Sequence, residues 1–313
     1  MPTRPSAVVF AYHNVGARCL LTLLDGGVHI PLVVTHEDDP RENIWFQRVA
    51  DIAHERGIPT ITPEDVNAPE VVARIAALEP DFFFSFYFRQ MMKAPLLAIP
   101  PRGAFNMHGS LLPKYRGRVP VNWAVIHGET ETGASLHEMV EKPDAGRLVD
   151  QQAVPILADD TAFEVFNKVT VAAEICLHRA LPGLLAGTAA LQSQDLARGS
   201  YFGGRKPEDG RIDWRNPARS VHNLVRAVAP PYPGAFSDTE LGRLTVLRTL
   251  PVDGPAVAGE AEPALAVEGS LLTARCGDGR KLRLLAAQLD GSPLDAERFS
   301  ALVSGKEHNS IRL

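Results

Sequence analysis

Phe82-Phe83-Phe84-Ser85-Phe86 decides the fold class of this chain. Four of its five residues are large aromatics, and they do not alternate with polar ones. A strand with only one buried face would alternate; a continuous apolar run marks a strand covered on both faces. Such strands sit inside parallel sheets layered by helices. The flanking sequence repeats the pattern. Strands are expected at 7–12, 30–35 and 58–61, with helices at 16–25, 44–55 and 69–78 between and after them. Gly26-Gly27 and Gly57 end two of these helices, and Pro69 opens the third. Residues 91–99 are helical in part, and 104–107 form the next strand. The β-α-β alternation predicts an α/β domain with a mostly parallel sheet and helices on both faces.

Further along, the spacing predicts a helix at 119–126, strands at 134–140 and 151–155, and a long amphipathic helix at 161–185 capped by Asp160 or Thr161. After Gly199 the character changes. A short helix (221–229) precedes short strands at 244–250, 264–267, 271–275 and 281–285, a Pro/Gly-rich loop at 253–263, and a helix near 295–303. This second part reads as a smaller β-barrel. The expected domains are 1–203 and 204–313.

Bulk properties narrow the function. At 313 residues, two domains are the better prior. The net charge is -5: residues 1–204 carry -6 and residues 205–313 carry +1, so neither part is a basic nucleic-acid surface. No apolar run reads as long enough to span a bilayer, and the N-terminus lacks a signal-peptide pattern. Cys19, Cys176 and Cys276 are isolated, which fits a reducing, cytoplasmic setting and gives no metal-ligand spacing. The ten histidines form no His-x-x-x-His cluster, so no metal is expected. Gly-x-Gly-x-x-Gly is missing after the first strand and elsewhere.

The chemistry gathers in Phe105-Asn106-Met107-His108-Gly109-Ser110-Leu111-Leu112-Pro113-Lys114-Tyr115-Arg116-Gly117. Asn106 and His108 close a strand and, by alternation, share one side of it. In a parallel sheet that is the edge where ligands bind. An amide N–H and an imidazole stabilise a developing oxyanion, and the imidazole moves a proton. Pro143-Asp144-Ala145-Gly146 offers a carboxylate on a glycine-bounded loop. Read alone, Asp144 is as well explained by capping a turn, and His108 by a structural hydrogen bond. Lys114, Arg116 and Arg118 form a basic segment suited to anionic ligand groups.

Together these residues resemble the active site of the 10-formyltetrahydrofolate-dependent formyltransferases. The likeness runs through nearly the whole chain. The Asn-x-His-Gly-Ser-Leu-Leu-Pro run marks the superfamily. Ala11-Tyr12-His13, Phe84-Ser85-Phe86-Tyr87, Asn122-Trp123, residues 128–133, Asp144-Ala145-Gly146 and residues 225–229 are most similar to the formyltransferase half of the bifunctional UDP-4-amino-4-deoxy-L-arabinose formyltransferase/UDP-glucuronate decarboxylase of lipid A (lipopolysaccharide) modification and polymyxin resistance. The resemblance implies a Rossmann-like first domain, an OB-fold-like second domain, and formyl transfer from 10-formyltetrahydrofolate to the 4-amine of that UDP-sugar. It implies catalytic roles for Asn106, His108 and Asp144, with Asp144 raising the pKa of His108. Folate contacts fall to Gln90, Met91, Met92, Arg118, Val140, Glu141, Lys142, Pro143 and Asp144. Acceptor contacts fall to Tyr12, Ser110, Arg205 and Tyr232. The partners implied are folate and a small nucleotide sugar, with no nucleic acid and no membrane insertion. The decarboxylase half has no counterpart before Leu313, so either a separate upstream UDP-glucuronate decarboxylase supplies that activity or the chain is an excised domain. Formylation of methionyl-tRNA and hydrolysis of the formyl-folate stand as the alternative activities.

Overall fold

The computed structural model describes residues 4–40, 42–254, 262–304 and 309–313. The chain divides into two compact units. The first holds residues up to Pro120, Glu131–Pro155 and Phe166–Gly203; the second holds Val121–Thr130, Ile156–Val165 and everything from Gly204 on.

In chain order the elements begin β1 (Ser6–Ala11), α1 (His13–Asp25), β2 (His29–Val34), α2 (Val49–Glu55), β3 (Thr60–Ile61), α3 (Pro69–Ala76), β4 (Phe82–Phe86), α4 (Ala94–Leu97) and β5 (Ala104–His108). They continue with β6 (Arg116–Gly117), α5 (Pro120–Ile126), β7 (Glu131–Glu138), β8 (Leu148–Pro155), α6 (Ala162–Ala186) and β9 (Tyr201–Phe202). The main sheet runs β3-β2-β1-β4-β5-β7-β8. Its first five strands are parallel; β7 pairs antiparallel to β5, and β8 antiparallel to β7.

β4 lies mid-sheet with all five residues buried. Phe83 meets the edge of Phe10 at 5.0 Å within a cluster that includes Met92 and Leu96. Phe82, Phe84 and Phe86 stack in a ladder with Phe105, centroids about 6 Å apart. Alternation sends these two sets to opposite faces, and both are apolar, which is why the run shows no period of two.

Two expectations change. The helix expected over 44–55 forms only as α2, from Val49. Asn14 Oδ1 accepts the Gln47 N–H at 2.8 Å, and Phe46 stacks on His13 at 4.0 Å, so this segment is held by side chains in a non-helical form. The view that no apolar run could cross a bilayer also needs correction. α6 is long and apolar enough by length and composition, because its scattered polar residues hide the run. Val165, Phe166, Val169, Ala173, Cys176, Leu177 and Leu181 form its buried stripe. Of the two expected caps Thr161 is the one used: it exchanges hydrogen bonds with Glu164 in a capping box.

The second unit adds α7 (Ala218–Val228), β10 (Ala235–Thr239), β11 (Gly242–Pro251), β12 (Ala264–Glu268), β13 (Leu271–Arg275), β14 (Lys281–Leu289), β15 (Ser292–Pro293), α8 (Ala296–Val303) and β16 (Ser310–Arg312). Its described strands form an antiparallel sheet, β10-β11-β14-β13-β12-β16, with Val221, Val225 and Phe299 in its core. Most of the 253–263 loop lies outside the described residues. Segments 121–130 and 156–165 join this unit because α7 binds them. Buried Arg226 donates to the carbonyls of Asp160 and Val125, and Asn122 donates to the Ala227 carbonyl. The Arg226 guanidinium also donates to the Asn223 amide oxygen, and burial lowers its pKa against the upward pull of Asp160 and Asp159.

Candidate active site

β5 ends in Asn106 and His108, and pairing with β7 decides what faces them. The register sets Asn106 opposite His137 and His108 opposite Ser135, so the four side chains share one face. Asn106 Nδ2 lies 3.1 Å from His137 Nε2. His108 Nε2 lies 2.7 Å from the Tyr115 carbonyl oxygen. A carbonyl only accepts, so Nε2 carries the hydrogen there, and His108 Nδ1 faces Asp144 Oδ1 at 3.6 Å. His137 Nε2 is 3.5 Å from the same oxygen. The structure thus brings Asn106, His108 and Asp144 together on one face.

Asp144 reaches the sheet from the loop after β7. Its backbone is left-handed (φ 52°), which a short polar residue tolerates. Gln194 Nε2 donates to the carbonyls of Asp144 (3.0 Å) and Gly146 (2.6 Å) and pins the loop. The Gly117 N–H donates to Asp144 Oδ2 at 2.8 Å. Gly117 is required twice over: φ is 97°, and a Cβ would run into the Phe202 carbonyl.

The basic segment is rigidly tied. Tyr115, Arg116 and Arg118 donate their N–H groups to Ser200 Oγ, the Ser200 carbonyl and the Phe202 carbonyl. Ser135 Oγ donates to the Ser110 carbonyl at 2.6 Å and accepts from Leu112 N–H and Gln151 Nε2. Arg116 is buried, and its Nε makes no hydrogen bond. Arg118 is exposed.

Electrostatics sharpen the roles. Burial works to raise the Asp144 carboxyl, but attraction to His108 and His137 in their protonated forms and the Gly117 N–H donor outweigh it and hold the group well below the usual carboxylate range. Burial also pulls His108 down; Asp144 and the Tyr115 carbonyl push back without offsetting it. The carboxylate does raise the imidazole as expected, but the net shift is downward. The resting site is a carboxylate beside a neutral ring whose Nδ1 has no hydrogen to offer. Only the protonated ring satisfies acceptors at both nitrogens, so the surroundings favour the imidazolium that proton uptake creates.

The other expected residues fall as follows. Ser110, expected at the acceptor, is fully buried; its hydroxyl donates to the Lys114 carbonyl at 2.7 Å and shapes the loop. The Gln90 amide bridges Val66 N–H and the Pro63 carbonyl. Met92 is in the core, while Met91 is exposed and its carbonyl accepts from Asn67. Val140, Glu141 and Lys142 are exposed and Pro143 is half-buried. Tyr12 is buried beneath Arg89 (4.7 Å) and donates to Asp38 at 2.8 Å. Arg205 and Tyr232 lie in the second unit, on adjacent residues: Arg205 stacks over Trp123 at 4.8 Å, and Tyr232 sits against Asn122. Sequence reading missed His137, Ser135 and Gln194. The alternation Ser135, His137 in the expected strand was the available signal, but antiparallel pairing to β5 was not visible in it.

The arrangement suits acyl-type transfer, and known proteins share its fold. WlaRD, a sugar 3N-formyl transferase solved with dTDP and 5-N-formyl-THF, aligns over 92% of this chain and 98% of its own, at 19% identity and TM-score 0.70. An N-formyltransferase from Helicobacter canadensis aligns over 90% and 99%, at 19% identity and TM-score 0.67. HypX from Aquifex aeolicus, solved with tetrahydrofolic acid, aligns over 97% of this chain but 48% of its own, at 16% identity and TM-score 0.62. Such identities establish a shared fold. The family models reach further: formyl transferase matches residues 8–181, and the formyl transferase C-terminal domain matches residues 205–302. With Asn106, His108 and Asp144 gathered inside the matched region, the chain belongs to the formyl transferase family.

Proposed function

We propose that this chain moves the formyl group of 10-formyltetrahydrofolate to the amine of a nucleotide-linked amino sugar, with UDP-4-amino-4-deoxy-L-arabinose as the acceptor. The convergence of Asn106, His108 and Asp144 at the carboxyl end of β5 carries the reading. The folate fits the site on one further observation: Met91 and Val140 are large apolar side chains left exposed on loops whose neighbours, Met92 and Met139, root in one core cluster. In this reading residues 90–92 and 140–144, with Arg118, hold the donor. Buried Arg116 keeps an Nε–H with no acceptor, a donor that suits an anionic group of the ligand.

The folate supplies the activated formyl group and the nitrogen that leaves. Asn106 donates an N–H to the formyl oxygen as charge builds there. His108 takes the proton released by the attacking amine. That proton rests on Nδ1, toward Asp144, because Nε2 already donates to Tyr115. The ring then returns it to the departing nitrogen. The sugar branch is supported by the family likeness of Tyr12 and of Arg205 and Tyr232. It is supported also by structural relatives whose subjects include dTDP and dTDP-3-aminofucose.

The test is direct. The protein is incubated with 10-formyltetrahydrofolate and a panel of UDP- and dTDP-linked 3- and 4-amino sugars, and products are weighed by mass spectrometry. A formyl adduct of UDP-4-amino-4-deoxy-L-arabinose at the highest kcat/KM is expected. Preference for another amino sugar would revise the acceptor. Formate release that ignores every acceptor would overturn transfer in favour of hydrolysis.

A further inference from the structure

We infer that His137 is a positioning residue that fixes which way the Asn106 amide faces. The inference rests on the formyl-transfer reading of the site. His137 is buried on β7, directly across the register from Asn106. Its Nδ1 lies 2.7 Å from the Glu138 carbonyl oxygen. That oxygen can only accept, so Nδ1 carries the hydrogen and Nε2 presents a lone pair. The Asn106 amide lies 3.1 Å from that lone pair. An amide oxygen there would set two acceptors against each other; an amide nitrogen donates. The Glu138 carbonyl thus determines the His137 tautomer, and the tautomer determines the amide.

Function follows from the geometry of a carboxamide. One Nδ2 hydrogen is spent on His137, which leaves the second, and the amide dipole, in a fixed sense. A freely rotating Asn106 would spend part of its time with Oδ1 toward the formyl oxygen, where it repels the growing charge. His137 removes that misoriented state before substrate arrives. His137 Nε2 also lies 3.5 Å from Asp144 Oδ1, a longer and weaker contact than the 3.1 Å one to Asn106. Asn106 is thus the nearer partner through which the ring acts.

The experiment has two arms on the full chain. In the first, nitrogen NMR of histidine-labelled wild-type protein, assigned with His137→Gln, reads the tautomer without any acceptor. Hydrogen on Nδ1 and a bare Nε2 at neutral pH are expected; a hydrogen on Nε2 would overturn the proposal. In the second, transfer kinetics compare His137→Phe, His137→Gln, Asn106→Ala and the Asn106→Ala/His137→Phe double variant. His137→Phe keeps shape and loses the acceptor, so kcat should fall roughly tenfold to a few hundredfold with KM for the folate little changed. His137→Gln places an amide oxygen near the Nε2 position and should recover most of that loss. The double variant should be no slower than Asn106→Ala alone, because the two act as one unit. A His137→Phe kcat within threefold of wild type, or additive losses in the double variant, would refute the idea. Should His137→Phe not fold, the tautomer measurement and His137→Gln still decide it. Should no amino sugar accept the formyl group, the acceptor reading fails while the tautomer result stands.

Discussion

Replacing Asp144 by Asn separates the two forces acting on His108. The carboxylate oxygen is 3.6 Å from His108 Nδ1, and the side chains are only 14% and 7% exposed. At that distance Coulomb attraction between carboxylate and imidazolium is about 5 kcal/mol at an effective dielectric near 20. The amide that replaces it still offers a dipole, so the loss should be nearer about 3–4 kcal/mol, or roughly a hundred- to a thousandfold in kcat. The attraction exists only once the ring is charged. The loss should therefore fall on kcat and leave the KM values nearly unchanged.

The pH profile gives an independent sign. His108 already titrates below the ordinary histidine value because burial outweighs the push from Asp144. The acid limb of kcat/KM in the wild type should thus lie below about 6.5. Removing the carboxylate removes an upward push, so the variant's limb should move further toward acid while its plateau drops. Steady-state kinetics from pH 4.5 to 8 with formyl-folate and the amino-sugar nucleotide measure both. A plateau within tenfold of wild type, or a limb that moves toward neutral pH, would refute the proton-uptake account.

Three further outcomes are expected. His13 is half-buried and packed among Phe46, Trp45 and Phe166, and its pKa is lowered to about 3, chiefly because burial disfavours its charge. The unfolded ring binds a proton below about 6.5 where the folded one does not, so stability holds above that pH and falls as pH drops toward 3, by roughly 3 kcal/mol at pH 4.5. His13→Asn, which keeps the left-handed backbone accessible, should lose correspondingly less between pH 7 and 4.5 in denaturant titrations; parallel losses would contradict the assignment. Ser135→Ala strands the Leu112 N–H and takes a donor from the Ser110 carbonyl, while Gln151 Nε2 keeps the Leu112 carbonyl; it should cost about 1–3 kcal/mol by the same assay while slowing turnover. Arg226→Met removes the guanidinium donor from the Asp160 and Val125 carbonyls; protease sensitivity should rise at 121–130 and 156–165 first, and a uniform rise would argue against the clamp.

The α/β sheet was legible because its strands are covered on both faces. Phe82–Phe86 carries that signal alone, and glycines punctuate the helices around it. The candidate trio was legible because two of its members are two residues apart on one strand. What escaped was everything that depends on pairing across distance. Ser135 and His137 face Asn106 and His108 only because β7 runs antiparallel to β5, an exception within a parallel sheet. The split of 121–130 and 156–165 from their neighbours depends on a buried arginine reaching carbonyls more than sixty residues away. The helix over 44–48 failed because aromatic packing on His13 overrode a helical apolar spacing. In each case the local pattern was read correctly, and a tertiary partner decided the outcome.

The site's resting state is short of one hydrogen, and that shortage carries the argument for transfer over simple binding. Asp144 Oδ1 faces two ring nitrogens, and both rings have already spent their hydrogen on backbone carbonyls, His108 on Tyr115 and His137 on Glu138. A site evolved only to hold a ligand gains nothing from three acceptors turned on one another. A site that must receive a proton gains a great deal, because the receiving step turns repulsion into attraction while the ligand itself barely moves. Burial makes the contrast larger: it keeps the ring neutral beforehand and, with water excluded, strengthens the ion pair formed afterwards. The amine acceptor is the natural source of that proton, since its nitrogen becomes acidic as it bonds to the formyl carbon. Water attacking the same carbon would also release a proton, so the discrimination between transfer and hydrolysis does not reside in His108 and Asp144. It resides in whatever holds the amine ahead of water, and the proposed acceptor residues Arg205 and Tyr232 are the ones to vary first when formate release is compared with formyl transfer.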